Sequence, residues 1–319
     1  SGIIGLYTGP QVLKRVPGTN IEIIAEFMPG DESIRYTSPY AGGKFSCITG
    51  NNPETLEFDR YTYTHLSSAL QTLGGPEAGL VRTVSTEYWD ERPAETKIRS
   101  LRSYLEIPAS EPPLGTAFGI RFLSWSINCP RFLVSLKKHL HAQGVTFTQR
   151  KLSHVSQAFM PGAQTVFKCT GLGARTLGGV KNTRMYPTRG QVVVKAPHVR
   201  ENTMRWGVDY ATYLIKRPHS NDQLILGGFM QRDDWMANTY RVQTEDILRP
   251  TVQFYPRLLS ENAGGKRVED LEVFRVAAGL RPCRRGGVRI EREVRDEGKV
   301  VVHRGPRQAI RDFVRKFLN

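Results

Sequence analysis

What the sequence lacks narrows the possible classes first. Its four cysteines (Cys47, Cys129, Cys169 and Cys283) lie far apart and never as a C-x-x-C pair. That excludes a zinc ribbon or a disulfide framework and suits buried, inert thiols in a reducing compartment. The seven histidines show no metal-ligand spacing, so no metal is expected, and His303 reads as structural. No run of about 18 apolar residues occurs, so no membrane-spanning helix is expected, and the start of the chain has no signal-peptide pattern. Acidic charge is the scarcer sign: the net charge is +15, which raises nucleic acid as a partner. The surplus is spread, however, and from residue 266 to 319 the 15 Lys and Arg are interleaved with 8 acids. No lysine-rich tail, helix-turn-helix or zinc-finger spacing accompanies it, so a basic nucleic-acid-binding protein is only the rival reading from another class. With 319 residues, 39% hydrophobic and 24% charged, the chain can form two domains around a large core.

What is present starts with residues 1–26. Gly2 and Gly5 stand as the second and third glycines of a G-x-G-x-x-G turn, the first letting backbone approach a pyrophosphate and the next letting helix pack on strand. The apolar residues 21–25 read as a second buried parallel strand. Glu26 follows about 20 residues after the glycines, where an acid binds a ribose hydroxyl. The first glycine and the first strand of such a unit are not in the sequence, and the same residues also suit an ordinary helix start followed by a core strand. Residues 36–43, Tyr-Thr-Ser-Pro-Tyr-Ala-Gly-Gly, suit backbone brought close to a ligand, or a plain surface loop.

Further on, residues 58–73 read as a helix and 84–90 as a strand. Residues 129–142 read as a helix with Pro130 in its first turn and Phe132, Leu133, Leu136 and Leu140 on one face. Strands are expected at 145–149 and 166–170, the second running into Gly171-Leu172-Gly173 at the end where open α/β sheets hold ligands. The stretches 191–195, 212–215 and 223–228 are β-rich, with Asn221-Asp222 as hairpin chemistry. A helix over 244–258, a buried strand over 271–277, strands over 288–293 and 299–303, and a final amphipathic helix over 307–318 complete the reading. The fold class is α/β with an interposed, mainly antiparallel sheet, and this interruption disfavours a nicotinamide dehydrogenase.

Six stretches together carry a specific resemblance: residues 27–31 (Phe-Met-Pro-Gly-Asp), 36–42, 169–173 (Cys-Thr-Gly-Leu-Gly), 186–191 (Tyr-Pro-Thr-Arg-Gly-Gln), 226–228 (Leu-Gly-Gly) and 279–282 (Gly-Leu-Arg-Pro). In them the chain resembles the fungal D-amino-acid oxidases, within the FAD-dependent amine oxidases, over nearly its whole length. The resemblance implies a Rossmann-type FAD-binding domain in discontinuous segments (1–52, 129–188 and 281–319). It also implies a substrate domain (53–128 and 189–280) built on a large antiparallel sheet. The implied reaction is oxidative deamination of a D-amino acid by hydride transfer to flavin, with oxygen giving hydrogen peroxide; no general base is needed if the amine binds neutral. Arg281 matches the family's carboxylate-binding arginine, and its neighbours Leu280 and Pro282 make it the arginine of this cluster expected to be buried. Tyr213 matches the tyrosine that touches the same carboxylate. Glu26 would hold the adenosine ribose; Gly2, Gly5, Thr37 and Ser38 would surround the phosphates. Ala41, Gly42 and Gly43 would lie against the isoalloxazine, and Gly171, Gly173 and Gln191 would line the same cofactor. Met230 occupies the position at which D-aspartate oxidases carry an arginine, so neutral side chains are expected over D-aspartate. The family implies a monomer or homodimer and a peroxisomal location, although residues 317–319 are not a Ser-Lys-Leu-type signal.

The departures from the family pattern fall on the flavin side. The first strand and glycine are absent, Gly9-Pro10 is expected to interrupt the first helix, and after His303 the sequence goes straight from Arg304-Gly305-Pro306 to the final helix. Lys168 stands where the family usually has asparagine. Such a chain is expected to hold FAD poorly or not at all, or to be a version from which flavin-contacting stretches are left out; an intact mass of 36.0 kDa would exclude the second.

Overall fold

The computed structural model describes residues 1–45, 53–93, 103–111, 113, 115–189, 192–208, 210–228, 231–287 and 289–304. Helix α1 (Ile3–Arg15) starts from Gly2 in extended conformation and ends with Lys14 and Arg15, cations that complement the carbonyl end of the helix. Strand β1 (Glu22–Ala25) follows, then α2 (Pro53–Thr72), β2 (Leu80–Trp89), the short β3 (Leu105–Glu106) and β4 (Phe118–Ile127). Helix α3 (Cys129–Ala142) is capped by the Asn128 side chain, which accepts from the Arg131 amide at 3.4 Å, and has Pro130 in its first turn. Its buried stripe is Phe132, Leu133, Leu136 and Leu140, the set that the spacing predicts.

After α3 come β5 (Thr146–Gln149), β6 (Thr165–Lys168), β7 (Met185–Arg189), β8 (Val192–Lys195), β9 (Asn202–Trp206), β10 (Ala211–Lys216), β11 (Gln223–Gly227) and β12 (Gln231–Arg232). Helix α4 (Arg241–Phe254) is followed by β13 (Val273–Val276), β14 (Leu280–Arg284), β15 (Ile290–Val294) and β16 (Val300–Arg304).

Three kinds of sheet result. A large sheet has the order β13-β8-β11-β10-β9-β2-β4-β3, antiparallel throughout except between β2 and β9. A small antiparallel sheet, β12-β7-β14, lies apart from it in pairing. Outside the large sheet, the parallel pairs among the described residues are β1 with β5 and β6 with β16, the α/β part of the molecule. One core gathers α1, α3 and the inner faces of β2 and β4 around Leu6, Trp125, Phe132 and Leu140. A second lies where Ile247, Leu248 and Phe254 of α4 cover Leu214, Leu224 and Leu226 of β10 and β11.

Three expectations need correction. The first helix is not interrupted: α1 runs through Pro10, and Gly9 is buried against α3, where an added Cβ would lie 2.7 Å from Leu140 Cδ2. The close helix–helix approach that Gly9 permits offsets the hydrogen bond Pro10 cannot make. The strand near 271–277 is not buried; β13 is the edge of the large sheet, with Val273, Phe274 and Val276 exposed, because a strand paired on one side only is covered on one side only. The helix expected over 244–258 ends at Phe254, and a separate turn of helix, Arg257–Ser260, follows Pro256. The final helix over 307–318 lies outside the described residues.

Candidate functional site

A cavity of about 2850 Å³ opens where the ends of the two parallel pairs meet α1, the 34–45 loop, β10 and β14. Ligand sites commonly run to roughly 300–1,000 Å³, so this one has room for an extended dinucleotide together with a small substrate. Strands β1 and β6, which belong to separate sheets, line it along their whole lengths, and the residues that follow them, Glu26 and Gly171, lie where an open α/β sheet offers backbone to a ligand.

The glycine-rich wall is built from close approaches. A Cβ on Gly5 would lie 2.3 Å from Ser1 Oγ and 3.6 Å from Cys169 Cβ, so the first turn of α1 presses on the end of β6. A Cβ on Gly2 would meet Ser38 Oγ at 2.9 Å; that oxygen already accepts the Ile3 amide at 3.0 Å, tying the 37–38 turn to the helix start. The Thr37 hydroxyl donates to the Leu280 carbonyl at 2.5 Å, tying the same turn to the residue before Arg281. Ala41, Gly42 and Gly43 continue along the wall. Gly43 is at φ +77°, and a Cβ there would sit 1.9 Å from the Ile127 carbonyl oxygen. Gly171, at φ +52°, and Gly173 close the turn after β6 and also line the cavity.

Glu26 follows β1 at the cavity rim, ion-paired with Arg35 and 3.9 Å from Lys151. It therefore reaches any ligand as a carboxylate already held by cations. Gln191 and Met230 lie outside the described residues.

Arg281 and Tyr213 arrive from different sheets and share one cavity. Arg281 is on β14 opposite Thr188, and Tyr213 is on β10 opposite Gly227. The pairing explains that glycine: a Cβ on Gly227 would lie 2.2 Å from the Tyr213 phenol. Burial pushes the Tyr213 hydroxyl pKa up, while the charge of nearby Arg281 pulls it down. The phenol stays protonated, as a donor. The expectation that Arg281 is buried fails. It is the exposed residue of the β14 stretch, whereas Arg284 is half-buried, because Leu280 rather than Arg281 takes the inward side of the strand. Arg281 lines the cavity, and no hydrogen bond or ion pair engages its guanidinium among the described residues.

One feature went unread in the sequence, and another was read only as a departure from the family. Lys44, next to the glycines, forms a fully buried ion pair with Glu87 of β2, and the Trp206 indole donates to the same carboxylate at 2.8 Å. Lys44, Met204 and Trp206 all line the cavity; only the register of the large sheet brings them together. The other is Lys168, the buried last residue of β6. His303, read as structural, is buried and contacts Glu293 at 2.5 Å. With Glu291 these three could hold a metal ion, but Arg289 and Arg295 already pair with the two carboxylates. Burial pushes the Cys129 thiol up to about 11, in keeping with an inert cysteine.

Comparison with known proteins decides the family. Residues 1–307 match the model of the FAD dependent oxidoreductases. The chain is 38% identical over 301 residues to a D-amino-acid oxidase of Schizosaccharomyces pombe, covering 92% of this chain and 84% of that one. The chain belongs to the D-amino-acid oxidase family of FAD-dependent oxidoreductases. It is also 29% identical over 357 residues to a D-aspartate oxidase of Cryptococcus neoformans, covering 95% and 89% of the two chains. A crystal structure of glycine oxidase from Geobacillus kaustophilus shares the fold, with a TM-score of 0.75 at 15% identity over 98% and 89% of the two chains. The architecture is thus the family's, an FAD domain beside a mainly antiparallel substrate sheet. The glycine cradle, the start of α1 and the carboxylate at the end of β1 fit the dinucleotide of FAD. Among the described residues no helix is long and apolar enough to cross a membrane.

Proposed function

We propose that this protein oxidises neutral D-amino acids with oxygen, giving a 2-oxo acid, ammonia and hydrogen peroxide. The observation that carries this reading is the meeting of Arg281 and Tyr213, from two sheets, on a cavity that the glycine cradle also lines. A planar guanidinium bonds a carboxylate in two places, and the protonated Tyr213 hydroxyl donates a third bond to it. The two hold the substrate by its carboxylate and leave its α-carbon to be set by the cavity walls. FAD, when bound, supplies a two-electron acceptor for hydride from that α-carbon and passes the electrons to oxygen. Water then hydrolyses the released imino acid, so no protein base is required for a substrate bound with its amine neutral.

In this reading Gly2, Gly5, Thr37, Ser38 and Glu26 face the dinucleotide. Ala41, Gly42, Gly43, Gly171, Gly173 and Gln191 complete its cradle. The segments 1–52, 129–188 and 281–319 hold the cofactor, and 53–128 with 189–280 hold the substrate. The apolar Met230 supports neutral side chains over a second carboxylate, so kcat/KM for D-alanine should exceed that for D-aspartate. Peroxide release assayed with D-alanine, L-alanine and D-aspartate tests both points. No peroxide from either D-amino acid would overturn the oxidase reading, and a higher kcat/KM for D-aspartate would replace it with a D-aspartate oxidase.

A further inference from the structure

Lys168 closes β6 at the cavity wall with only 3% of its surface exposed. A lysine this deeply buried ordinarily has a counter-charge. Here no carboxylate of the described residues lies within ion-pair distance of its amine. The charged and titratable groups facing it are Cys169 on its own segment, Arg284 on β14, Arg289 and Glu291 at the start of β15, and His303 opposite it on β16. Glu291, the one acid among them, is taken by Arg289. Arg284 faces a further cation, Arg184, and its Nε is buried without a partner among the described residues, as is His303 Nδ1. Cations therefore outnumber anions at this end of the cavity. The start of α1 packs through Gly5 on Cys169, the next residue along the chain, and a helix start is itself anion-seeking.

We propose that this end of the cavity is an anion site centred on Lys168 and flanked by Arg284, and that its ligand is the pyrophosphate of the bound dinucleotide. The assignment rests on the FAD reading above. It gives this chain a charged phosphate contact at the position where the resemblance leads one to expect a neutral asparagine. Burial lowers the Lys168 amine from 10.5 to about 8, so the attraction weakens as pH rises and the amine loses its proton. Bound phosphate shifts that loss upward.

The test uses the full chain titrated with FAD, with adenosine diphosphate and with riboflavin, followed by fluorescence or calorimetry at low salt. Lys168→Met should weaken FAD and adenosine diphosphate by about 10- to 100-fold, as for one charge-assisted hydrogen bond, and leave riboflavin unchanged. Lys168→Arg should retain both diphosphates and remove the weakening between pH 7 and 9. Thermal midpoints without ligand guard against a folding artefact: Lys168→Met should match or exceed the wild type, since it relieves a buried charge. Equal losses for riboflavin and FAD, or no loss for any ligand, would overturn the proposal. A wild type that binds FAD through Lys168 yet releases no peroxide from D-amino acids would sink the oxidase reading and leave this one standing.

Discussion

Arg281 and Tyr213 carry the chemistry proposed for the site, and they should fail in different ways when altered. Arg281→Met removes a bidentate charge-assisted contact and should lower kcat/KM for D-alanine by about 100-fold or more, mostly through KM. Tyr213→Phe removes one neutral donor and should raise KM by about 5- to 10-fold, with kcat changed less. Steady-state kinetics on both variants checks the split. Lys168 makes a further prediction, for stability without ligand. Its folded-state pKa of about 8 lies below the ordinary 10.5, so between those values the unfolded chain binds more protons. Stability contributed by this group therefore rises with pH across that window, and the rise should be missing from Lys168→Met in denaturant titrations at pH 7.5 and 10. Arg281 was legible only through the Gly-Leu-Arg-Pro motif, and its exposure was misjudged because its neighbours, Leu280 and Pro282, do not say which way a strand residue points. Lys44 and Glu87 were not legible at all, since their pairing depends on a strand register that joins residues 43 positions apart.

At the scale of elements, local pattern sufficed wherever one face alternates with another. The α3 stripe and Pro130 in its first turn appear as the sequence predicts, and β1 ends at Ala25, just before Glu26. The Pro10 expectation failed because propensity was weighed without tertiary packing: Leu6, Thr8 and Gly9 are buried on neighbouring parts of the same helix, and that burial holds it together. Pro10→Ala should therefore stabilise the protein, by up to about 3 kcal/mol, read as a higher denaturation midpoint. Gly43→Ala should do the reverse. A Cβ there meets the Ile127 carbonyl at 1.9 Å, and the Gly43 carbonyl accepts the Ile127 amide at 2.6 Å, so the clash is with backbone that cannot rotate away. A loss of about 2–5 kcal/mol is expected, combining strain and overpacking, together with weaker FAD binding.

For the molecule as a whole, the division into a parallel-strand region and an antiparallel sheet was legible because continuous apolar runs and alternating strands differ in pattern, although β1, read as a buried strand, is half-buried throughout. The order of the large sheet was not, since β2 pairs with β9 across more than a hundred residues of chain. The net charge of +15 is spent in part on ion pairs, such as Arg275 with Glu32 and Arg205 with Asp90, and in part on the cations around the cavity. A chain that recruits an anionic dinucleotide in this way should bind FAD more weakly as salt rises, because surface and rim charges are screened over about 10 Å at 0.1 M ionic strength. The central claim is that the glycine cradle and the Arg281–Tyr213 pair serve one reaction, and the flavin spectrum tests it directly. With FAD bound and oxygen removed, D-alanine should bleach the oxidised visible bands while L-alanine leaves them intact. Bound flavin that no D-amino acid bleaches would contradict the account.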